Sequence, residues 1–263
     1  MSNRNYINAI ERGMKILEIL GSAGRKLSLT EIASLCQMNR TAANRFLYTF
    51  CILGYINRDD RKLYELSHKA LAFGFSYLQS SNLRTLCKPH IDELSAELDQ
   101  TSNLAILDDL DIIYLYRREK KRFLRFLKYD LYDGSKLPSY CTSVGKVLLA
   151  GLDDDDMIDR IERMDLEPIT PRTITSKKDL LKELMTVRVC GYAISDGELS
   201  MDLFSFAVPV KDAMGVVIAS INLTISLNQL SPSFREKILR KLFEKGKLVS
   251  RLLGYQGTWP HVG

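Results

Sequence analysis

The chain has 263 residues, 46% hydrophobic and 26% charged, enough for a small domain and a larger one with its own core. No uninterrupted apolar run approaches the roughly 18 to 20 residues that cross a bilayer, and Arg4, Glu11, Arg12 and Lys15 interrupt the first twenty residues, so neither a membrane segment nor a signal peptide is expected. Five cysteines without a Cys-x-x-Cys pair fit reduced thiols in a cytoplasm better than a disulfide framework.

Residues 8–20 place Ile10, Met14, Leu17 and Leu20, with Ile16, on one helical stripe, and Gly21 to Gly24 stop it. Residues 28–56 then read as two helices joined by a turn. In the first helix Ile32, Leu35 and Cys36 recur at helical spacing, and Ser28 stands three residues ahead of Glu31 as a capping box. Gln37, Met38 and Asn39 make the turn, with Asn39 as the next N-cap. In the second helix Ala43, Phe46, Leu47, Phe50 and Leu53 form the inward stripe, and Gly54 ends it. Arg40, Thr41, Asn44, Arg45, Tyr48 and Thr49 face outward. Such residues contact phosphates and base edges: Arg forks onto guanine, Asn onto adenine, and hydroxyls reach phosphate oxygens.

Residues 55–58 and 62–66 are short alternating segments around the polar turn Asp59-Asp60-Arg61, the pattern of a wing hairpin. The expected DNA contacts are Ser28, Thr30, Arg40, Thr41, Asn44, Arg45 and Tyr48 on the helices and Arg58, Arg61 and Lys62 on the wing. Charge placement supports this over a helical subdomain with a merely solvated basic face. Residues 1–70 hold eleven Lys and Arg against six Asp and Glu, whereas the rest of the chain holds 26 of each. A basic head on a neutral body is the footprint of a polyanion partner, double-stranded DNA.

The apolar-rich stretch over residues 67–79 predicts a linker helix that packs one side on the head and another on a second copy. Leu83, Leu86, Ile91, Leu94 and Leu98 mark a further helix, which Pro89 interrupts or kinks. Residues 104–107, 112–116 and 123–127 then read as strands of an antiparallel meander. Helices are expected over residues 142–150, 154–164 and 177–190, strands over 192–194, 204–210 and 216–224, and a last helix over about 233–253. The fold class is α+β: residues 1–67 a winged helix-turn-helix domain, 68–82 a linker helix, and 83–263 a domain with a largely antiparallel sheet flanked by helices.

Residues 134–150 are dense in polar and small side chains. Gly145-Lys146 is no nucleotide loop, because Tyr140 and Val147 stand where a phosphate-cradling loop needs Gly and Ser or Thr. Two readings stay open: a helix start whose free N–H groups near residues 141–144 hold a small carboxylate, or an ordinary capped helix. The acidic run Asp153 to Asp156 reads as a solvated helix start and not a cation site. His68, His90 and His261 lack metal-ligand or triad spacing, so no metal, no cofactor and no catalytic constellation is expected. Residues 195–198 read as a turn, with closure of a loop over a ligand as the alternative.

Several motifs resemble the IclR family of bacterial transcription regulators over nearly the whole chain. They are Ala9-Ile-Glu-Arg-Gly-Met14, Arg40-Thr-Ala-Ala-Asn-Arg-Phe-Leu47, Leu53-Gly-Tyr55, Gly134-Ser-Lys-Leu-Pro138, Gly145-Lys-Val-Leu-Leu-Ala150, Thr173-Ile174, Leu181-Lys-Glu-Leu184, Val187-Arg188, Gly191-Tyr192 and Ala207-Val-Pro209. The resemblance implies a winged head, a linker helix and a GAF-like effector domain that binds a small carboxylic acid, in a homodimer or a dimer of dimers, with RNA polymerase as a further partner it allows. It places the effector pocket on Ser143, Val144 and Gly145, then on Ser195, Asp196, Ser205, Asn222 and Thr224. Asp202 departs from the family's usual glycine and Gly197 from its usual Glu. The Thr41-Ala-Ala and 142–150 segments most resemble the branch that regulates protocatechuate and 4-hydroxybenzoate catabolism, which favours an aromatic or ring-cleavage acid as effector. The competing readings are a metabolite-independent architectural DNA-binder, to which a polar pocket would be superfluous, and an enzyme of small acids, which lacks an acid/base pair.

Overall fold

The computed structural model describes residues 6–120, 131–226 and 229–259. The chain divides into two compact units, residues 1–80 and 81–263.

In the first unit, helices α1 (Asn8–Ser22), α2 (Leu29–Leu35) and α3 (Arg40–Ile52) surround the buried side chains of Ile16, Leu20, Leu27, Ile32, Cys36, Leu47, Ile56 and Tyr64. Both expected caps form: Ser28 and Glu31 make a reciprocal capping box, and the Asn39 side chain accepts from the Ala42 N–H at 2.7 Å. Gly54 follows α3 at a φ of 79°, a left-handed conformation that favours glycine. The wing strands β2 (Ile56–Arg58) and β3 (Leu63–Leu66) pair antiparallel, and a short β1 (Leu27–Ser28), not foreseen from the sequence, pairs with β3 on its other side.

The expected stripes need three corrections. On α1 the buried residues are Gly13, Ile16 and Leu20, while Ile10 and Met14 are 61% and 50% exposed. A Cβ at Gly13 would sit 3.3 Å from the Phe50 ring, so the glycine forms a shallow seat for that ring and turns this face inward. Leu35, the last residue of α2, and Leu53, the residue after α3, are also exposed although expected inside, while Cys36 beside Leu35 takes the buried place. The linker begins as a 3-10 turn (His68–Ala70) and continues as α4 (Leu71–Ser80), where Phe73 stacks on Tyr55 with ring centroids 5.6 Å apart.

The second unit holds a six-stranded, wholly antiparallel sheet. Its strands are β4 (Thr101–Asp108), β5 (Asp111–Arg118), β6 (Lys136–Pro138), β7 (Ala193–Asp196), β8 (Leu203–Lys211) and β9 (Val217–Ser226), in the order β6-β5-β4-β9-β8-β7. The strand expected over residues 123–127 lies outside the described residues, and β6 was not anticipated. Helices α5 (Asn82–Leu98) and α9 (Pro232–Leu252) pack on one face of the sheet. Pro89 lies within α5 without ending it. Helices α6 (Ser143–Ala150), α7 (Asp154–Arg163) and α8 (Lys177–Cys190) form the other layer, and α6 lies directly on the sheet. The small side chains Ala105, Ala193 and Ala207 lie in the core beneath this layer, so α6 approaches closely. A Cβ on Gly145 would fall 2.1 Å from the Ser139 carbonyl oxygen, so only glycine fits where α6 starts. Asp153 caps α7 and the three acids after it occupy the first turn, as the helix dipole favours.

Candidate functional site

Two groups of residues separate in the structure. The first is the outer face of α3, where Arg40, Thr41, Asn44, Arg45, Tyr48 and Thr49 all stand in solvent. At the wing tip the Asp59 carboxylate accepts from the N–H groups of Arg61 and Leu63 at 3.0 and 2.9 Å, and Lys62 takes a φ of 62°. The backbone bond to Leu63 is the main cause holding the Asp59 carboxyl below its ordinary range. This fixed turn projects Arg61 and Lys62 outward, and Arg58 is exposed beside them with its guanidinium 5.6 Å from the Tyr64 ring centre. Thr30 is also exposed. Ser28 is different: its hydroxyl donates to the Glu31 carboxylate at 2.7 Å and accepts from the Glu31 N–H at 3.3 Å. That hydroxyl is committed to holding α2.

The second group lies on the α6 side of the large sheet, as two polar rows that cross the strands. Thr101, Thr224, Ser205 and Ser195 are successive cross-strand partners on β4, β9, β8 and β7. Beside them run Arg117, Asn103 and Asn222 on β5, β4 and β9. The amide of Asn103 donates to Asn222 at 2.7 Å, and the Ser143 and Ser205 hydroxyls are 2.8 Å apart. Over these rows lies a cavity whose empty volume of about 590 Å³ includes open solvent.

Of the eight pocket residues expected from the sequence, Ser195, Ser205, Asn222 and Thr224 line this cavity. Ser143 stands one hydrogen bond behind it, and Val144 and Gly145 are buried in α6 without reaching the lining. Asp196 points elsewhere: its side chain is 50% exposed and pairs with Arg172, because β7 alternates and Ser195 takes the inner face. The start of α6 is capped and also leaves donors free. Thr142 caps the Gly145 N–H at 3.1 Å, while the N–H groups of Ser143 and Val144 meet no acceptor among the described residues.

The sequence reading missed Thr101, Tyr114, Arg117 and Glu119 on the near side of the cavity and Leu199 and Ser200 on the far side. Residues 197–200 are a pinned turn. Thr170 and Thr173 hydroxyls donate to the carbonyls of Gly197 and Glu198, each at 2.7 Å. The Glu198 carboxylate meets the fully buried Lys146 at 2.6 Å, and Lys146 also reaches Glu183 and the Ile194 carbonyl. Burial outweighs this pairing and holds the Glu198 carboxyl above its ordinary range. Burial also pushes the Cys141 thiol, on the cavity wall, up to about 12, so it stays neutral and is no nucleophile. Among the described residues the arrangement offers no acid/base pair aimed at a common atom.

Comparisons with known proteins agree on both units. The IclR helix-turn-helix domain matches residues 9–60, and the domain described as bacterial transcriptional regulator IclR C-terminal matches residues 75–251. The chain is 33% identical to the Pca regulon regulatory protein of Pseudomonas putida, over 89% of this chain and 79% of that one. It is 34% identical to the p-hydroxybenzoate hydroxylase transcriptional activator of Acinetobacter baylyi, over 88% of this chain and 85% of that one. Among solved structures it shares its fold with an IclR homolog from Microbacterium hydrocarbonoxydans complexed with 4-hydroxybenzoate, at a TM-score of 0.74 and 19% identity, over 93% of this chain and 99% of that one.

Proposed function

The chain belongs to the IclR family of transcriptional regulators, and from that premise we propose that its operator binding is set by a small carboxylic acid, aromatic or derived from ring cleavage, held in the cavity of the second unit. It is a DNA-binding regulator and not an enzyme. The observation that carries the effector reading is the pair of polar rows meeting under one cavity. A metabolite-independent DNA-binder has no use for so many buried hydroxyls and amides around empty space, since each costs stability unless it is satisfied. The names of the relatives point to aromatic acids, which supports the chemical class. As a regulator it works on cytoplasmic DNA.

DNA is read by α3 in the major groove, with Arg40, Asn44 and Arg45 at base edges and Arg58, Arg61 and Lys62 of the wing on phosphates. One head covers a half-site, so two copies act together. The apolar side chains Ile7, Ile10 and Met14 at α1 and Leu71, Phe73 and Tyr77 on α4, each half exposed or more, offer the surface for a second copy. Sedimentation is expected to show a dimer or a dimer of dimers at micromolar concentration; a monomer overturns this arrangement.

The test of the effector reading titrates 4-hydroxybenzoate, 3,4-dihydroxybenzoate and adipate by calorimetry into wild type and Asn222→Leu, with and without DNA selected by the wild type from a random pool. Binding lost in the mutant, and shifted by DNA by the factor that the acid shifts DNA binding, is the expected outcome. Equal acid affinity with and without DNA overturns the switch.

A further inference from the structure

Arg117 is the most unusual side chain of the second unit. It is 6% exposed, its Nε is buried without a hydrogen-bond partner, and its only ion pair among the described residues is a 3.7 Å approach to Glu119, too long for a hydrogen bond. A guanidinium has five N–H donors, and burying it with its Nε–H unused is costly. The Tyr114 ring, 4.9 Å from the guanidinium carbon, offers its face but accepts none of those N–H groups in their own plane.

The backbone shows that this placement is built. Tyr114 pairs with Ala105 and Tyr116 with Leu104, so Leu115 is an extra residue in β5, a β-bulge. Continued regular pairing from Tyr114 would have set Arg117 opposite Ser102 and turned it toward α5 and α9. With the bulge it stands opposite Asn103 and enters the cavity. The bulge itself is fastened at both ends: Arg84 donates to the Leu115 carbonyl at 3.0 Å and to the Asp133 carboxylate at 2.9 Å, and the other Asp133 oxygen accepts from the Arg117 N–H at 2.8 Å.

We infer that Arg117 is the ionic anchor of the pocket, forking onto the carboxylate of the effector and thereby making the site selective for acids over their neutral analogues. The inference rests on the effector reading and adds the residue that recognises the charge. The forked guanidinium matches a carboxylate in its own plane, and Tyr114 under it fixes the orientation of that plane. Glu119, 30% exposed, is the stand-in that the incoming carboxylate displaces toward solvent.

Calorimetry on the full-length protein with 4-hydroxybenzoate and 4-hydroxybenzamide, and with adipate and adipamide, tests this without any mutation. Wild type is expected to bind an acid at least tenfold more tightly than its amide. Arg117→Met abolishes that preference, Arg117→Lys retains only part of it, and Glu119→Gln tightens acid binding. Acid and amide binding alike to wild type, or a preference that survives in a folded Arg117→Met protein, overturns the role of Arg117 and leaves the pocket standing. Failure of every acid and amide to bind wild type overturns the pocket reading and this inference together.

Discussion

On α3 the side chains of Arg40, Thr41, Asn44, Arg45 and Tyr48 stand in solvent, whereas in the large sheet Ser195, Asn222 and Asn103 are 4%, 3% and 1% exposed and Asn103 and Asn222 are tied by a hydrogen bond. The contrast is one of coupling between function and stability. A residue on the outer face of a capped helix touches little of its own protein, so its identity is free to serve a partner. A polar residue inside the sheet must first satisfy its neighbours. Changes on the head should therefore alter binding without altering folding, and changes in the second unit should alter both.

The sharpest way to break this contrast is Lys146→Met. Lys146 is fully buried, and its loss leaves the Glu198 carboxylate, already holding one unpartnered oxygen, without its closest counter-charge. Removing one member of a buried pair typically costs about 3–5 kcal/mol. The sign with pH follows from Glu198, whose folded-state carboxyl is raised by burial. An acid with a raised folded pKa destabilises increasingly as pH climbs above its unfolded value. Losing Lys146 raises it further, so the stability gap to wild type should widen from pH 5 to pH 8. Urea unfolding at both values checks this; an unchanged gap, or a loss below 1 kcal/mol, would show that the cluster is not a stability element.

Arg45→Ala is the head's counterpart and a smaller effect. Arg45 is exposed, and the Thr49 hydroxyl donates at 2.9 Å to its backbone carbonyl, not to its side chain. Thermal stability should move by no more than about 0.5 kcal/mol. Affinity for DNA selected by the wild type should fall by about 1–3 kcal/mol, the worth of one bidentate base contact. Gel shift and a melt on the same preparation compare the two; equal DNA affinity would displace the recognition helix from α3.

The same contrast explains what was legible in the sequence. The helices of the head announce themselves through caps and spacing, which are local, and Ser28, Glu31 and Asn39 sit where the pattern places them. The inward face of α1 did not, because it depends on a ring from another helix resting on Gly13. In the second unit the helices α6 to α9 and strands β7 to β9 were readable from apolar runs, and resemblance to a family supplied Ser195, Ser205, Asn222 and Thr224. Arg117 escaped because a period of two, counted along residues 112–118, points it at the wrong face; the bulge at Leu115 reverses the alternation and leaves no mark in composition. The pairing of Thr101 with Thr224 and of Arg117 with Asn103 likewise exists only once non-local strand register is set.

The smallest effect concerns Ser28 and Glu31, where the head departs from its own rule by using an expected DNA contact for folding. The Ser28 N–H donates to the Glu31 carboxylate at 2.8 Å, the Ser28 hydroxyl adds a second bond, and the Arg25 guanidinium lies 2.9 Å away. In that order these hold the Glu31 carboxyl down at about 2, against an ordinary value of 4.5. A depressed acid contributes stability above its unfolded value and loses it as pH falls through its folded one. The contribution should thus be whole at pH 7 and fade between about pH 4.5 and pH 2. Because Glu31 is 40% exposed, solvent and salt weaken it, and the effect is confined to the first turn of α2. The Glu31→Gln variant keeps an oxygen for the Ser28 N–H but not the charge. Amide hydrogen exchange in α2 is expected to be faster in the variant than in wild type at pH 7, with the ratio approaching one only near pH 2. A ratio independent of pH would mean that the capping box acts through shape alone, and that Ser28 is free to trade its cap for a phosphate.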